Sequence, residues 1–152
     1  MNKIKFEEIQ DTELAATIAQ FQVAMALETE NLALEPSIVT AGVLAVIQDP
    51  RKGTYYCAKI DDVVVASLLC VPEWSDWRNK TVIWIHSVYV MPEHRGQGVF
   101  KEMYSHLKNM VCDTKEFAGL RLYVDKNNKN AQQVYHSLGM SNNHYTMFEW
   151  LS

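Results

Sequence analysis

Two hydrophobic periods alternate along the chain and divide it into helices and strands. The run from Ile4 to Ile9 predicts a short first strand. Asp11 stands next as a helix N-cap, and Leu14, Ile18, Phe21 and Met25 repeat at intervals of 4, 3 and 4, which places them on one helix face. Pro36 suits the first turn of a second helix carrying Val39, Val43, Val46 and Ile47, and Asp49-Pro50 ends it. The period then shortens to two. Thr54 to Ile60 and Val63 to Val71 flank Asp61-Asp62 and read as a hairpin. The polar, Trp-containing segment from Pro72 to Lys80 reads as a loop, and the β-branched and aromatic stretch from Thr81 to Met91 as a long strand. Pro92 to Gly98 is a loop, and Val99, Met103, Leu107 and Met110 share one face of the helix that leaves it. Gly119 to Val124 predicts another strand. Asn128 to Leu138 predicts a helix closed by Gly139, and Tyr145 to Leu151 a last strand. The order β-α-α-β-β-β-α-β-α-β is that of a single α/β domain with a mixed sheet.

Composition narrows the class. The chain has 152 residues, 48% apolar and 21% charged, enough to close one core without disulfides or metal. An aromatic content of 11% excludes a disordered chain. The net charge of −4 argues against a nucleic-acid binder, which carries a basic surplus. That charge is uneven. Residues 1–35 hold seven acids against Lys3 and Lys5, whereas residues 91–130 hold seven bases against five acids. Besides solvated helix faces, this split suits two binding regions of opposite sign. Cys57, Cys70 and Cys112 fit neither a disulfide framework nor a zinc pattern, and Cys57 and Cys70 read as small buried hydrophobes. His94, His106, His136 and His144 lack ligand spacing, so no metal is expected. Residues 1–20 have no apolar signal region, and the longest apolar run, Val63 to Val71, is too short to span a bilayer. A cytoplasmic protein with no membrane or nucleic-acid partner is therefore expected.

The segment that carries chemistry runs from Val88 to Phe100. A strand enters a loop containing Gly96 and Gly98, and the loop opens a helix. Glycine lets backbone approach a ligand closely and adopt positive φ. The first N–H groups of a helix have no internal partner and sit at the positive end of its dipole, which suits phosphate. The G-x-x-x-x-G-K-[ST] pattern of a P-loop is absent, and Lys101 stands where a dinucleotide fingerprint needs its third glycine.

Arg95-Gly96-Gln97-Gly98-Val99-Phe100 resembles the R/Q-x-x-G-x-G/A acetyl-CoA motif of the GNAT N-acetyltransferases, and Val90-x-Pro92-Glu93-x-Arg95 is similar to the lead-in of many members. Leu122-Tyr123-Val124, followed by Asn128, Ala131, Tyr135 and Gly139-Met140, resembles the family's second signature. Phe100 departs from the pattern, which usually has Gly or Ala there. The resemblance implies the GNAT acyl-CoA N-acyltransferase fold over residues 1–152, a mixed, mostly antiparallel sheet flanked by helices. It implies an N-acetyltransferase that moves acetyl from acetyl-CoA to a primary amine of a small molecule, diamine or amino-acid-like, most like the small-molecule amine acetyltransferases of the family. The last strand could pair across a homodimer, as it often does in such enzymes.

The same resemblance distributes roles. Backbone N–H groups from Arg95, Gly96, Gln97, Gly98, Val99 and Phe100 would cradle the pyrophosphate, and Val88 and Val90 would meet the pantetheine arm strand to strand. Tyr135 matches the tyrosine that serves as general acid toward the thiolate, with packing on its helix face as the alternative. Asn128 matches a cofactor-contacting asparagine and also suits a helix N-cap. His86 is the candidate base, at the position where diamine acetyltransferases carry a glutamate; a titration near pH 6.5 suits it to take a proton from an ammonium whose pKa is about 10.4. Glu28 and Glu30, where this fold builds its acceptor site, would attract a cationic amine. Trp74, Asp76, Trp77 and Trp84 would line the pocket by cation–π attraction and charge, or serve as packing residues. Two other readings stay open: acetylation of a protein N-terminus or lysine, and a non-catalytic acyl-CoA-binding module.

Overall fold

The computed structural model describes residues 3–152, which fall into two compact units, one ending at Leu122 and the other Tyr123–Ser152. The first unit begins with β1 (Lys5–Glu8), followed by a 3-10 turn whose first N–H groups are capped by Asp11: its Oδ1 accepts from the Glu13 N–H at 2.8 Å. Helix α1 (Ala15–Glu30) ends at Asn31 in the left-handed region, and α2 (Pro36–Gln48) starts with proline in its first turn, as predicted. Strands β2 (Thr54–Ile60), β3 (Val63–Ser75) and β4 (Lys80–Val90), helix α3 (Val99–Asp113) and strand β5 (Phe117–Arg121) complete the unit. The strands form one sheet in the order β1-β2-β3-β4-β5, antiparallel throughout except for the parallel β4–β5 pair.

Alternation along the strands assigns the helices to opposite faces. Tyr55 and Cys57 belong to a buried cluster with Ile18, Phe21, Val43 and Tyr89, so α1 and α2 cover their face. Tyr56 points the other way: its hydroxyl reaches Met110 Sδ, and Phe6 stacks between it and His106. Both Met110 and His106 lie on α3, which therefore covers the second face. There Met103 and Leu107 are fully buried, as the helical spacing predicted.

Three sequence expectations are corrected. The segment Pro72–Lys80 is not a loop: β3 continues to Ser75 and turns back through residues 76–79. Pro72 is tolerated because β3 has no β2 partner beyond Cys70, and proline in a sheet is confined to such edges. The fifth predicted strand, Gly119 to Val124, is shifted, β5 occupying Phe117–Arg121. The last predicted strand, Tyr145 to Leu151, does not form. The second unit holds only helix α4 (Lys129–Ser137) as regular structure, and a strand without a ladder partner has no backbone bonds to sustain it. Phe148 and Trp150 are accordingly exposed. Among the described residues no helix is long and apolar enough to cross a membrane.

Leu107 tests the packing of α3. Its side chain is 0% exposed, so Leu107→Ala should destabilise the fold by about 2–5 kcal/mol, read from the urea midpoint at unchanged slope. A shift of less than half that range would mean that α3 is not packed as described.

Candidate functional site

Strand β4 organises the site. It pairs with β3 along nearly its whole length, but its pairing with β5 covers only Thr81 to Trp84. From Ile85 to Val90 the flank on the β5 side carries no strand of this sheet. Backbone groups along this flank have no ladder partner, and Val88 and Val90 stand on it, the Val90 carbonyl accepting from Arg95 Nε instead.

The register of β4 is interrupted on the same stretch. His86 lies opposite Leu69 and Tyr89 opposite Ser67, so β4 spends three steps where β3 spends two. This is a bulge, and Ser87 in it has φ of 55°, a left-handed conformation uncommon for a side-chain-bearing residue. Sequence patterning missed the bulge, since His86-Ser87-Val88 carries no glycine to announce it. The carbonyl of Ser87 accepts from Gln22 Nε2 of α1 at 3.4 Å. Gln22 is only 5% exposed, and its Oε1 has no hydrogen-bond partner. A glutamine four residues after Ile18, inside the apolar stripe of α1, was the one signal in the sequence.

After β4, Met91 donates to Val65 O and a short 3-10 turn leads into the glycine loop. Gly96 and Gly98 have φ of 72° and 81°, where a side chain would be strained, and a Cβ on either would enter open space. Gly98 is the N-cap of α3 and brings no side-chain cap to it. An uncapped helix N-terminus beneath open space fits a phosphate group. Val99 is buried, and the Phe100 ring turns toward Tyr104 one helical turn on, with centroids 6.3 Å apart, so the unexpected side chain lies along the helix.

The Arg95 side chain is held by three groups. Its Nε donates to Val90 O, its guanidinium pairs with Glu28 at 2.8 Å, and it lies over the Tyr89 ring. Gln97 donates to Glu93 O. Glu28 and Glu30 lie within the last turn of α1, and Glu28 is committed to the loop through Arg95.

On the face covered by α1 and α2, His86 and Trp84 stand two residues apart with parallel rings, centroids at 6.0 Å and planes at 7°. Burial lowers the pKa of His86, which keeps the imidazole neutral. Glu73 lies on this face too, bonded to Arg121 at 2.8 Å; sequence reading had passed over both residues. Trp74 faces the opposite side of the sheet, while Asp76 and Trp77 sit in the β3–β4 turn with Trp77 87% exposed. The expected aromatic group is thus dispersed, and only Trp84 neighbours His86.

In the second unit, Asn128 caps α4, its Oδ1 accepting from the Ala131 N–H at 3.1 Å. Tyr135 lies on that helix, and burial raises its phenol pKa. Burial also raises the Cys57 and Cys70 thiols, to about 11 and about 12, and both behave as buried hydrophobes.

Known proteins share this architecture. Residues 15–140 match the acetyltransferase (GNAT) family. A crystal structure of a "possible acetyltransferase" from Clostridium difficile 630 superposes with a TM-score of 0.91 at 40% identity, covering 98% of this chain and 97% of that one. A predicted acetyltransferase from Clostridium acetobutylicum, solved with acetyl-CoA, shares the fold at a TM-score of 0.75 and 14% identity, covering 97% and 96%. Thialysine N-epsilon-acetyltransferase from Bos taurus is 35% identical over 66 residues, 43% of this chain; the match spans 38% of that protein's length.

His86 makes the fold sensitive to acid. With its native pKa depressed by burial, the unfolded chain binds more protons below about pH 6.5, so this contribution to stability is complete above that pH and is lost as pH falls through the native value. The Tm of wild type should therefore drop further from about pH 7 to about pH 5 than that of His86→Gln. Parallel drops would show that the imidazole is not held neutral by the fold.

Proposed function

Because the chain belongs to the acetyltransferase (GNAT) family and is an acetyl-CoA-dependent N-acetyltransferase, we propose that, as a single domain, it acetylates a primary amine of a small molecule, diamine or amino-acid-like. One observation carries the reading: β4 offers an open backbone flank from Ile85 to Val90 and, from the same stretch, the neutral imidazole of His86. The relative named for the ε-nitrogen of thialysine supports an amino-acid-sized acceptor.

When bound, acetyl-CoA supplies the acetyl thioester. The glycine loop and the uncapped N-terminus of α3 fit its pyrophosphate, with Gly96 and Gly98 leaving room and donors for it. Val88 and Val90 align its arm by main-chain hydrogen bonds, which is why their side chains can be plain valines. Arg95, tied to Glu28 and Val90, holds the loop in shape. An ammonium does not attack a carbonyl, so a base must first take its proton; His86 Nδ1 or Nε2 accepts it, with burial keeping the ring neutral and available. Trp84 gives the entering cation an aromatic surface. Tyr135 keeps the role that the resemblance assigns: its phenol, whose pKa burial raises further, returns a proton to the departing thiolate.

Thiol release from acetyl-CoA should be rapid with diamines and free amino acids such as lysine, and slow with peptides carrying lysine or a free N-terminus. Faster release with peptides would move the assignment to protein acetylation, and none with any amine despite acetyl-CoA binding would leave an acyl-CoA-binding module. Tyr135→Phe should lower kcat by about 10²-fold or more while acetyl-CoA affinity stays near wild type. Unchanged turnover would remove Tyr135 from the chemistry.

A further inference from the structure

We propose that Gln22 is a positioning residue, whose amide clamps the Ser87 carbonyl and so holds the β4 bulge that sets the donor-binding flank beyond His86. The inference rests on the proposed use of Val88 and Val90 to hold acetyl-CoA.

A side chain in a strand points to alternate faces, so one added residue reverses the alternation beyond it. Before the bulge, Trp84 and His86 face α1 and α2. After it, the odd-numbered Tyr89 does so, packed on Phe21 with ring centroids 4.9 Å apart and opposite Ser67. Without the bulge, residue 88 would take the place of Tyr89, and the N–H and C=O groups of Val88 and Val90 would exchange flanks. The bulge thus decides both which backbone groups line the open edge and what faces α1.

Nothing in the local sequence favours this conformation. Ser87 is neither glycine nor asparagine, and φ of 55° is costly for it. An external contact must hold it, and the hydrogen bond to its carbonyl comes from Gln22 Nε2. Neighbouring buried positions on α1 are Ile18, Ala19, Phe21 and Ala26, all apolar. Packing alone would favour an apolar residue at position 22, because Gln22 leaves its Oε1 buried and unpaired. Ser67, opposite Tyr89 at the other side of the register shift, likewise buries an unpaired hydroxyl. Both unpaired groups border the bulge, and departures from an apolar core concentrate where function imposes them.

The test uses the full chain and acetyl-CoA binding by titration calorimetry, so no acceptor need be known. Gln22→Met keeps the length of the side chain and removes the donor. It should weaken acetyl-CoA by about tenfold or more, since a displaced flank misaligns every bond along it. Adding Ser87→Gly, which adopts φ of 55° without strain, should restore affinity to within about threefold of wild type. Ser87→Val, which keeps Gln22 but resists the left-handed region, should weaken binding like Gln22→Met and remains informative if the latter fails to fold. Wild-type affinity in Gln22→Met, or failure of Ser87→Gly to rescue it, overturns the proposal. Absence of acetyl-CoA binding by the wild type would instead overturn the donor-site reading on which it stands.

Discussion

The backbone of a strand must be satisfied on both flanks, and β4 meets that requirement unequally. Toward β3 it is paired nearly throughout; toward β5 the ladder stops at Trp84 although the strand runs on to Val90. Everything at the site follows from this mismatch in length. The unpaired stretch needs hydrogen-bonding partners, the glycine loop begins where it ends, and the candidate base sits on it. A strand already fixed on one side by a long hairpin can lack a partner on its other side without losing its shape, so the proposed donor site stands on a strand held in place by β3.

The helices complete this scaffold in different ways. Helix α3 buries Val99, Met103 and Leu107 against one face and presents its uncapped N-terminus to the loop. Helix α1 covers the other face and reaches the site twice, through Gln22 at the bulge and through Glu28 at Arg95. It thereby links the acidic front of the sequence to the basic stretch around the loop. The two regions of opposite charge do not simply await ligands of opposite charge: part of their complementarity is used internally, between Glu28 and Arg95.

Elements with strong local signals were legible in the sequence. Pro36, the 4-3-4 spacing of α1 and the apolar face of α3 each state a helix through nearest-turn neighbours, and the two glycines state their own φ. Features that depend on partners were not legible. Trp74 and Trp84 look alike in sequence, yet strand parity puts them on opposite faces. The alternating residues from Tyr145 to Trp150 look like a strand, but that pattern cannot supply a neighbour. The carbonyl of Ser87 in the bulge accepts a hydrogen bond from a glutamine 65 residues away, and no window along the chain contains both. Likewise Glu73 meets Arg121 only because the sheet brings β3 and β5 to either side of β4.

The tethers of Arg95 differ in kind. Its bond to Val90 O ends on a neutral carbonyl at the end of a strand, whereas its bond to Glu28 joins two half-exposed charges 67 residues apart. Dissolved ions weaken attraction between exposed charges much more than they weaken a hydrogen bond to a carbonyl. Raising ionic strength therefore loosens the guanidinium from α1 while leaving it fastened to β4. The loop then keeps its root but gains freedom relative to the acidic helix, so buffer composition alone adjusts how firmly the two halves of the charge pattern are joined.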